Sequence, residues 1–192
     1  CKPQHVRDLG EDDNPEWAFS PLNNFYYLPN QSFAPNFDIG DYSESPAKVT
    51  GNDCFSAQPN ENDWYETVKL NYGVFYQKGM EKQFDPIPNT WHKMLDILLF
   101  WSGKGVDGFR VDMAEMVPVE FWSWLIPKIK KEYPQVIFIA ECYKPECYHA
   151  YLQAGFDYLY DKVGMYDYLR GVTSKNWPVE GITQVWQQTD DI

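Results

Sequence analysis

Two short segments, Val106-Asp107-Gly108-Phe109-Arg110-Val111-Asp112 and Gln135-Val136-Ile137-Phe138-Ile139-Ala140-Glu141, constrain what this chain can fold into more than anything else in it. Both are rich in β-branched and aromatic residues, the composition of strands, and each ends in a carboxylate. The stretch between them, Pro118 to Tyr133, has the length of a helix. Strand, helix, strand is a βαβ unit, so the two strands are expected to run parallel. Their C-terminal ends then lie side by side, and Asp112 and Glu141 share one rim. Side-chain alternation places Gly108, Arg110 and Asp112 on one face of the first strand, with Phe109 and Val111 on the other. Ile137, Ile139 and Glu141 share a face of the second.

Neighbouring strands are about 4.8 Å apart. Two carboxyl groups on adjacent strand ends can therefore come within the ~5–5.5 Å that retaining glycoside hydrolysis uses. Arg110, two residues before Asp112 on the same face, can donate to that carboxylate and keep it ionised. For either carboxylate alone, a helix cap or a strand-end ion pair is the plainer explanation; the pair with Arg110 favours chemistry.

Gly108-Phe109-Arg110-Val111-Asp112 and Ala140-Glu141 resemble the second and third signature regions of the α-amylase family of glycoside hydrolases, a clan built on the (β/α)8 TIM barrel. The resemblance implies that Asp112 is the nucleophile, that Glu141 is the general acid/base, and that Arg110 binds the nucleophile. It implies an α-glucan or oligosaccharide substrate and a covalent glycosyl-enzyme. Glu141 is then expected to stay protonated beside a charged Asp112. The fold expected is α/β: a partial TIM barrel over residues 64–192, about strands 4 to 6 with flanking helices. A protruding, irregular segment like the family's domain B precedes it over residues 1–63.

Two of the family's signature regions, one with an Asp and a His, the other with the third catalytic carboxylate, are not found in these 192 residues. A full barrel takes about 250 residues. The chain alone is therefore expected to be inactive, and to need the missing parts of its own barrel or a second copy. Many members carry Lys-His after the nucleophile, where the His backbone binds calcium. Here the residues are Met113-Ala114, so calcium in the full-length protein is an expectation without its usual motif. Transglycosylation by the same chemistry is one alternative. A non-catalytic carbohydrate-binding or structural protein that keeps an amylase-type barrel is another. An unrelated α/β enzyme would need its own motif after another strand, and none is present.

A net charge of -12 argues against nucleic acid and against anionic membrane surfaces as partners. The longest clean apolar run, Ile97 to Trp101, is far too short to span a bilayer. Cys1 in place of Met leads us to expect a natural N-terminus further upstream. Cysteines at 1, 54, 142 and 147 have no zinc spacing and leave the redox compartment open. Periplasmic, extracellular and cytoplasmic locations all remain compatible. Aromatic residues make up 18% of the chain, which suits sugar stacking and a large core equally.

Residues 1–63 hold seven of the 14 prolines and eight asparagines, which predicts an excursion with little regular structure. Asn23 to Pro29 is its best strand candidate. Glu66 to Gly73 reads as an extended segment re-entering the barrel. Asn89 is expected to cap a helix from Thr90 to Ser102, with Trp91, Met94, Leu95 and Leu98 as its apolar stripe and His92 off it. In the next helix, Trp122, Leu125, Ile126 and Ile129 form the stripe, and Pro127 is expected to kink or end it. Lys128, Lys130 and Lys131 suit a solvated face. Glu115 reads as a cleft residue or a solvated rim charge; Tyr143 as a sugar-stacking ring or loop packing. A helix over 145–153, a strand over 156–161 and a helix from Gly164 follow. Val172 to Ile192 reads as a helix-bearing loop.

Overall fold

A computed structural model describes residues 8–188 of the chain. Cys1 and the last four residues lie outside the described part. The chain forms two compact units, one ending at Met94 and the other beginning at Leu95.

The first unit is irregular, as its proline and asparagine content predicts. Among the described residues its regular pairing is limited to short strands: β1 (Tyr27–Leu28) antiparallel to β2 (Ala47–Lys48), and β3 (Val74–Phe75) antiparallel to β4 (Glu81–Lys82). Side chains replace the missing ladders. The Asp13 carboxylate accepts from the N–H groups of Asn24 at 2.7 Å and Phe25 at 3.0 Å. Asn14 N–H donates to Asn23 Oδ1 at 2.9 Å, and Asn23 Nδ2 returns a bond to the Asn14 carbonyl at 2.8 Å. Buried backbone groups must find partners somewhere, and asparagine offers a donor and an acceptor on a short stem. The apolar centre is Tyr26, Leu28, Ala47, Val49 and Ala57, ringed by Phe19, Phe33, Phe55 and Tyr76.

This unit runs past residue 63. The 66–73 segment pairs inside it: Leu70 bridges Phe25, Asn71 N–H donates to the Asn24 carbonyl at 2.7 Å, and Lys69 N–H to the Val49 carbonyl at 2.8 Å. Helix α1 (Asn89–Ser102) begins in it. Asn89 is its first residue and uses its amide on the Leu22 carbonyl at 3.3 Å. Trp91 is buried, Met94, Leu95 and Leu98 are half-buried, and His92 is exposed.

The second unit is a three-stranded parallel sheet with helices on it. Strand β5 (Gly108–Val111) pairs with β6 (Ile137–Ala140), and β6 with β7 (Tyr158–Leu159). Among the described residues the sheet does not close into a barrel. Gly108 opens β5 because nothing larger fits: a Cβ there would lie 2.5 Å from the Ile137 carbonyl oxygen. Helix α2 (Val119–Glu132) packs Phe121, Trp122, Leu125, Ile126 and Ile129 into the core with Phe138 of β6 and Phe156.

Pro127 does not end α2 early; the helix runs on to Glu132. A proline inside a helix costs about 3 kcal/mol, whereas burying Leu125, Ile126 and Ile129 contributes about 1.5–3 kcal/mol each. Packing therefore wins. Pro127 and Ser123, whose carbonyl loses its helical partner, are both exposed, so water can take the bond. Lys130 is not simply solvated; it pairs with Asp157 at 2.6 Å and ties α2 to the segment before β7. A 3-10 turn at Pro145–Cys147 leads into α3 (Tyr148–Gln153). The strand expected over 156–161 is only the two residues of β7. The helix expected from Gly164 begins as a π turn at Lys162–Tyr166 and continues as α4 (Asp167–Lys175); α5 (Gly181–Gln187) follows.

Candidate active site

The register of β5 on β6 pairs Val111 with Ala140. The next residue on each strand is Asp112 and Glu141, so the two carboxylates stand side by side as the βαβ reading requires. Arg110 reaches both: Nη1 lies 2.9 Å from Asp112 Oδ2, and Nη2 lies 2.8 Å from Glu141 Oε1. The two acids differ sharply in setting. The Asp112 side chain is 75% exposed and that of Glu141 only 10%. Tyr160, just past β7, sits with its ring 5.5 Å from the guanidinium. Its hydrogen bond first, then the two carboxylates, raise the Arg110 pKa further, so this group is a permanent cation.

Glu141 is surrounded by donors. The Tyr143 hydroxyl donates to Oε1 at 2.6 Å, and the Met113 N–H donates to Oε2 at 3.0 Å. Tyr143 and the Met113 N–H outweigh burial and, with the Arg110 charge, hold its pKa well below the usual carboxylate range. The expectation that Glu141 stays protonated in the resting site is therefore corrected. The phenol, the guanidinium and the backbone N–H around it favour the carboxylate form. Met113 has φ 46°, in the left-handed region, which for a non-glycine residue costs about 1–3 kcal/mol. That turn aims its N–H at Glu141. It is held in place by Ala114, whose N–H donates to the Glu141 carbonyl at 2.9 Å. The Ala114 carbonyl in turn accepts from Trp122 Nε1 at 3.3 Å and the Tyr151 hydroxyl at 3.2 Å.

Glu115 is not a free rim charge. Its Oε2 accepts from the N–H groups of Tyr143 at 2.9 Å and Lys144 at 3.1 Å, and from the Cys142 thiol at 3.2 Å. It organises the loop that carries Tyr143. Burial, above all, pushes the Cys142 thiol up to about 12, so this cysteine is a packed thiol.

A hollow of about 540 Å³ opens beside Glu141, lined by Tyr143, Leu159, Tyr160, Asp161, Lys162 and Tyr166. Lys162 bonds Asp167 at 2.6 Å, with its ammonium 5.1 Å from the Tyr166 ring. Sequence reading missed Tyr160, Lys162 and Tyr166; the run Tyr158 to Asp161, read only as a strand, was the available signal. Another hollow, of about 360 Å³ in the first unit, holds none of the predicted site residues. Among the described residues no three His, Cys, Asp or Glu side chains cluster to hold a metal, and Met113-Ala114 supplies no side-chain ligand. No helix among the described residues is long and apolar enough to cross a membrane.

No family model matches the chain. An α-1,4-glucan:maltose-1-phosphate maltosyltransferase from Picrophilus torridus is 30% identical over 148 residues, 76% of this chain and 17% of its own length. An enzyme of the same name from Cereibacter sphaeroides is 33% identical over 97 residues, 46% of this chain and 16% of its own length. The chain thus spans about a sixth of the curated relatives it matches. Among solved structures, an α-amylase from Lactobacillus plantarum aligns with a TM-score of 0.51 and 24% identity, over 67% of this chain and 30% of that one. The ligand-free cyclic α-maltosyl-(1→6)-maltose hydrolase from Arthrobacter globiformis aligns with a TM-score of 0.53 and 18% identity, over 74% of this chain and 27% of that one.

Proposed function

We propose that this chain, which belongs to the α-amylase family of glycoside hydrolases, carries the nucleophile and the acid/base of a retaining enzyme acting on α-glucans. Strands β5, β6 and β7 correspond to strands 4 to 6 of its TIM barrel. Asp112, the more exposed carboxylate, attacks the anomeric carbon, and Arg110 orients it. Glu141 protonates the departing glycosidic oxygen and then, as a base, activates water or an acceptor sugar. The observation that carries this reading is the placement of Asp112 and Glu141 on adjacent parallel strand ends, bridged by one guanidinium. The names of the curated relatives favour transfer to a sugar, and those of the structural neighbours hydrolysis; the carboxylate pair serves both. The 192 residues alone do not turn over substrate, because a third carboxylate is needed to stabilise the transition state.

The test uses a polypeptide in which the barrel is completed. Glu141→Gln is expected to abolish cleavage of maltooligosaccharides yet still release fluoride from an α-glucosyl fluoride, a leaving group that needs no proton. Asp112→Asn is expected to lose both. If Asp112→Asn kept either activity, the assignment of the nucleophile would be wrong.

A further inference from the structure

We propose that Tyr143 is a positioning residue for Glu141: its phenol, not only its ring, holds that carboxylate in place and governs its proton. This deepens the reading above and rests on Glu141 being the acid/base. Oε1 of Glu141 receives Tyr143 at 2.6 Å and Arg110 at 2.8 Å, while Oε2 receives the backbone N–H of Met113 at 3.0 Å. The backbone donor cannot swing away, since Ala114 and the buried groups on its carbonyl pin that turn. Arg110 is held from two sides, by Asp112 at 2.9 Å and by its hydrogen bond to Tyr160. Tyr143 is the donor that can move: it is half-buried and borders the open hollow. An oxygen arriving from that hollow therefore takes over the place of the phenol at Oε1. The N–H groups of Tyr143 and Lys144, both held by Glu115, set where the ring starts from.

The charged and titratable groups facing Glu141 are Arg110 and Asp112 from the end of β5, Tyr143 from its own loop, and Tyr160, Asp161, Lys162 and Tyr166 from the β7 side. Of these, Tyr143 alone donates to Glu141 without also belonging to the Arg110 bridge. Loss of its hydroxyl thus isolates its contribution.

The experiment needs no turnover. A polypeptide in which the barrel is completed is labelled with 13C at glutamate carboxyls, and the Glu141 resonance is assigned from its absence in Glu141→Gln. Titrations of wild type, Tyr143→Phe and Tyr143→Ala are compared, with circular dichroism to verify folding. In wild type, Glu141 is expected to titrate below the ordinary carboxylate range. In Tyr143→Phe its midpoint is expected to move up by about one pH unit or more, the strength of one hydrogen bond to a charged group. Tyr143→Ala should move it similarly, because the hydroxyl and not the ring is responsible. An unmoved midpoint in Tyr143→Phe, or an ordinary Glu141 midpoint in wild type, would overturn the proposal. Neither result depends on whether Glu141 is catalytic. If the titration is unmoved while Glu141→Gln kills cleavage in the completed barrel, Tyr143 is wrong and the reaction stands.

Discussion

Replacement of Arg110 by methionine tests which carboxylate that guanidinium serves energetically. Family resemblance assigns Arg110 to the nucleophile, Asp112, yet the two arms of the bridge are unequal in a way that distance conceals. At 2.9 Å and 2.8 Å they have the same length. The Asp112 arm ends on a side chain that is 75% exposed, and ion pairs of that kind contribute about 0–1 kcal/mol. The Glu141 arm ends on a carboxylate only 10% exposed, where a charged hydrogen bond is worth about 1.5–3 kcal/mol. Arg110 itself is 40% exposed, which places the Glu141 arm toward the lower end of that range.

Arg110→Met should therefore destabilise the protein by about 1–2 kcal/mol, most of it through Glu141. Equilibrium urea unfolding at neutral pH, arranged as two double-mutant cycles, separates the arms. The cycle of Arg110→Met with Glu141→Gln is expected to give a coupling of about 1–2 kcal/mol, and the cycle with Asp112→Asn less than about 0.5 kcal/mol. Concentrated salt should erase the second coupling and leave most of the first, because the less exposed pair is screened less. Equal couplings, or a larger one to Asp112, would refute the premise that burial sets the value of this bridge.

Two further substitutions probe the scaffold beneath the rim. Gly108→Ala would place a Cβ 2.5 Å from the Ile137 carbonyl oxygen, a backbone atom fixed by the β5–β6 pairing. It should cost about 1–3 kcal/mol in urea unfolding, and an unaffected midpoint would mean that β5 does not lie in this register. Asp157 responds to pH: burial would raise its pKa, but hydrogen bonds from Lys130 and the Phe138 N–H outweigh that and lower it. Its contribution to stability is then fully present above the ordinary carboxylate range and is lost as pH falls through the lowered folded value. The stability gap between wild type and Asp157→Asn should shrink as the solution is acidified below about pH 4, and a gap that widened would contradict the sign.

The βαβ core was legible because its signals are local. Alternation along 106–112 and 135–141, and the apolar spacing of Trp122, Leu125, Ile126 and Ile129, each follow from backbone periodicity alone. Whether Pro127 ends α2 is a competition: it weakens the helix locally, and the outcome depends on how deeply its neighbours are buried, which spacing does not reveal. The asparagines of the first unit signalled irregular chain correctly, but not that their amides would close the hydrogen bonds of that chain. At the site, residue types and strand ends were readable, whereas donor directions were not. The bond from Met113 depends on a left-handed turn at a residue that seldom adopts one. The bond from Tyr143 depends on a rotamer. Glu115 looked like a rim charge because nothing in the sequence says that three donors converge on one of its oxygens.

Those unreadable donors bear on how the proposed reaction starts. A carboxylate that receives a phenol, a guanidinium and a backbone N–H is a prepared base and a poor acid. In a retaining cycle the same group must act first as acid and then as base. The resting geometry around Glu141 thus matches the second half of the cycle, after the glycosyl-enzyme has formed. The first half needs a proton on Glu141, and hence at least one donor withdrawn. Met113 is pinned by its turn and Arg110 by Tyr160 as well as Asp112, so in the proposed cycle the withdrawal falls to Tyr143, on the side where the hollow of about 540 Å³ would admit the departing sugar. In the proposed cycle the entering sugar displaces the Tyr143 hydrogen bond while Glu141 takes up a proton from water, so substrate entry and protonation of Glu141 are linked.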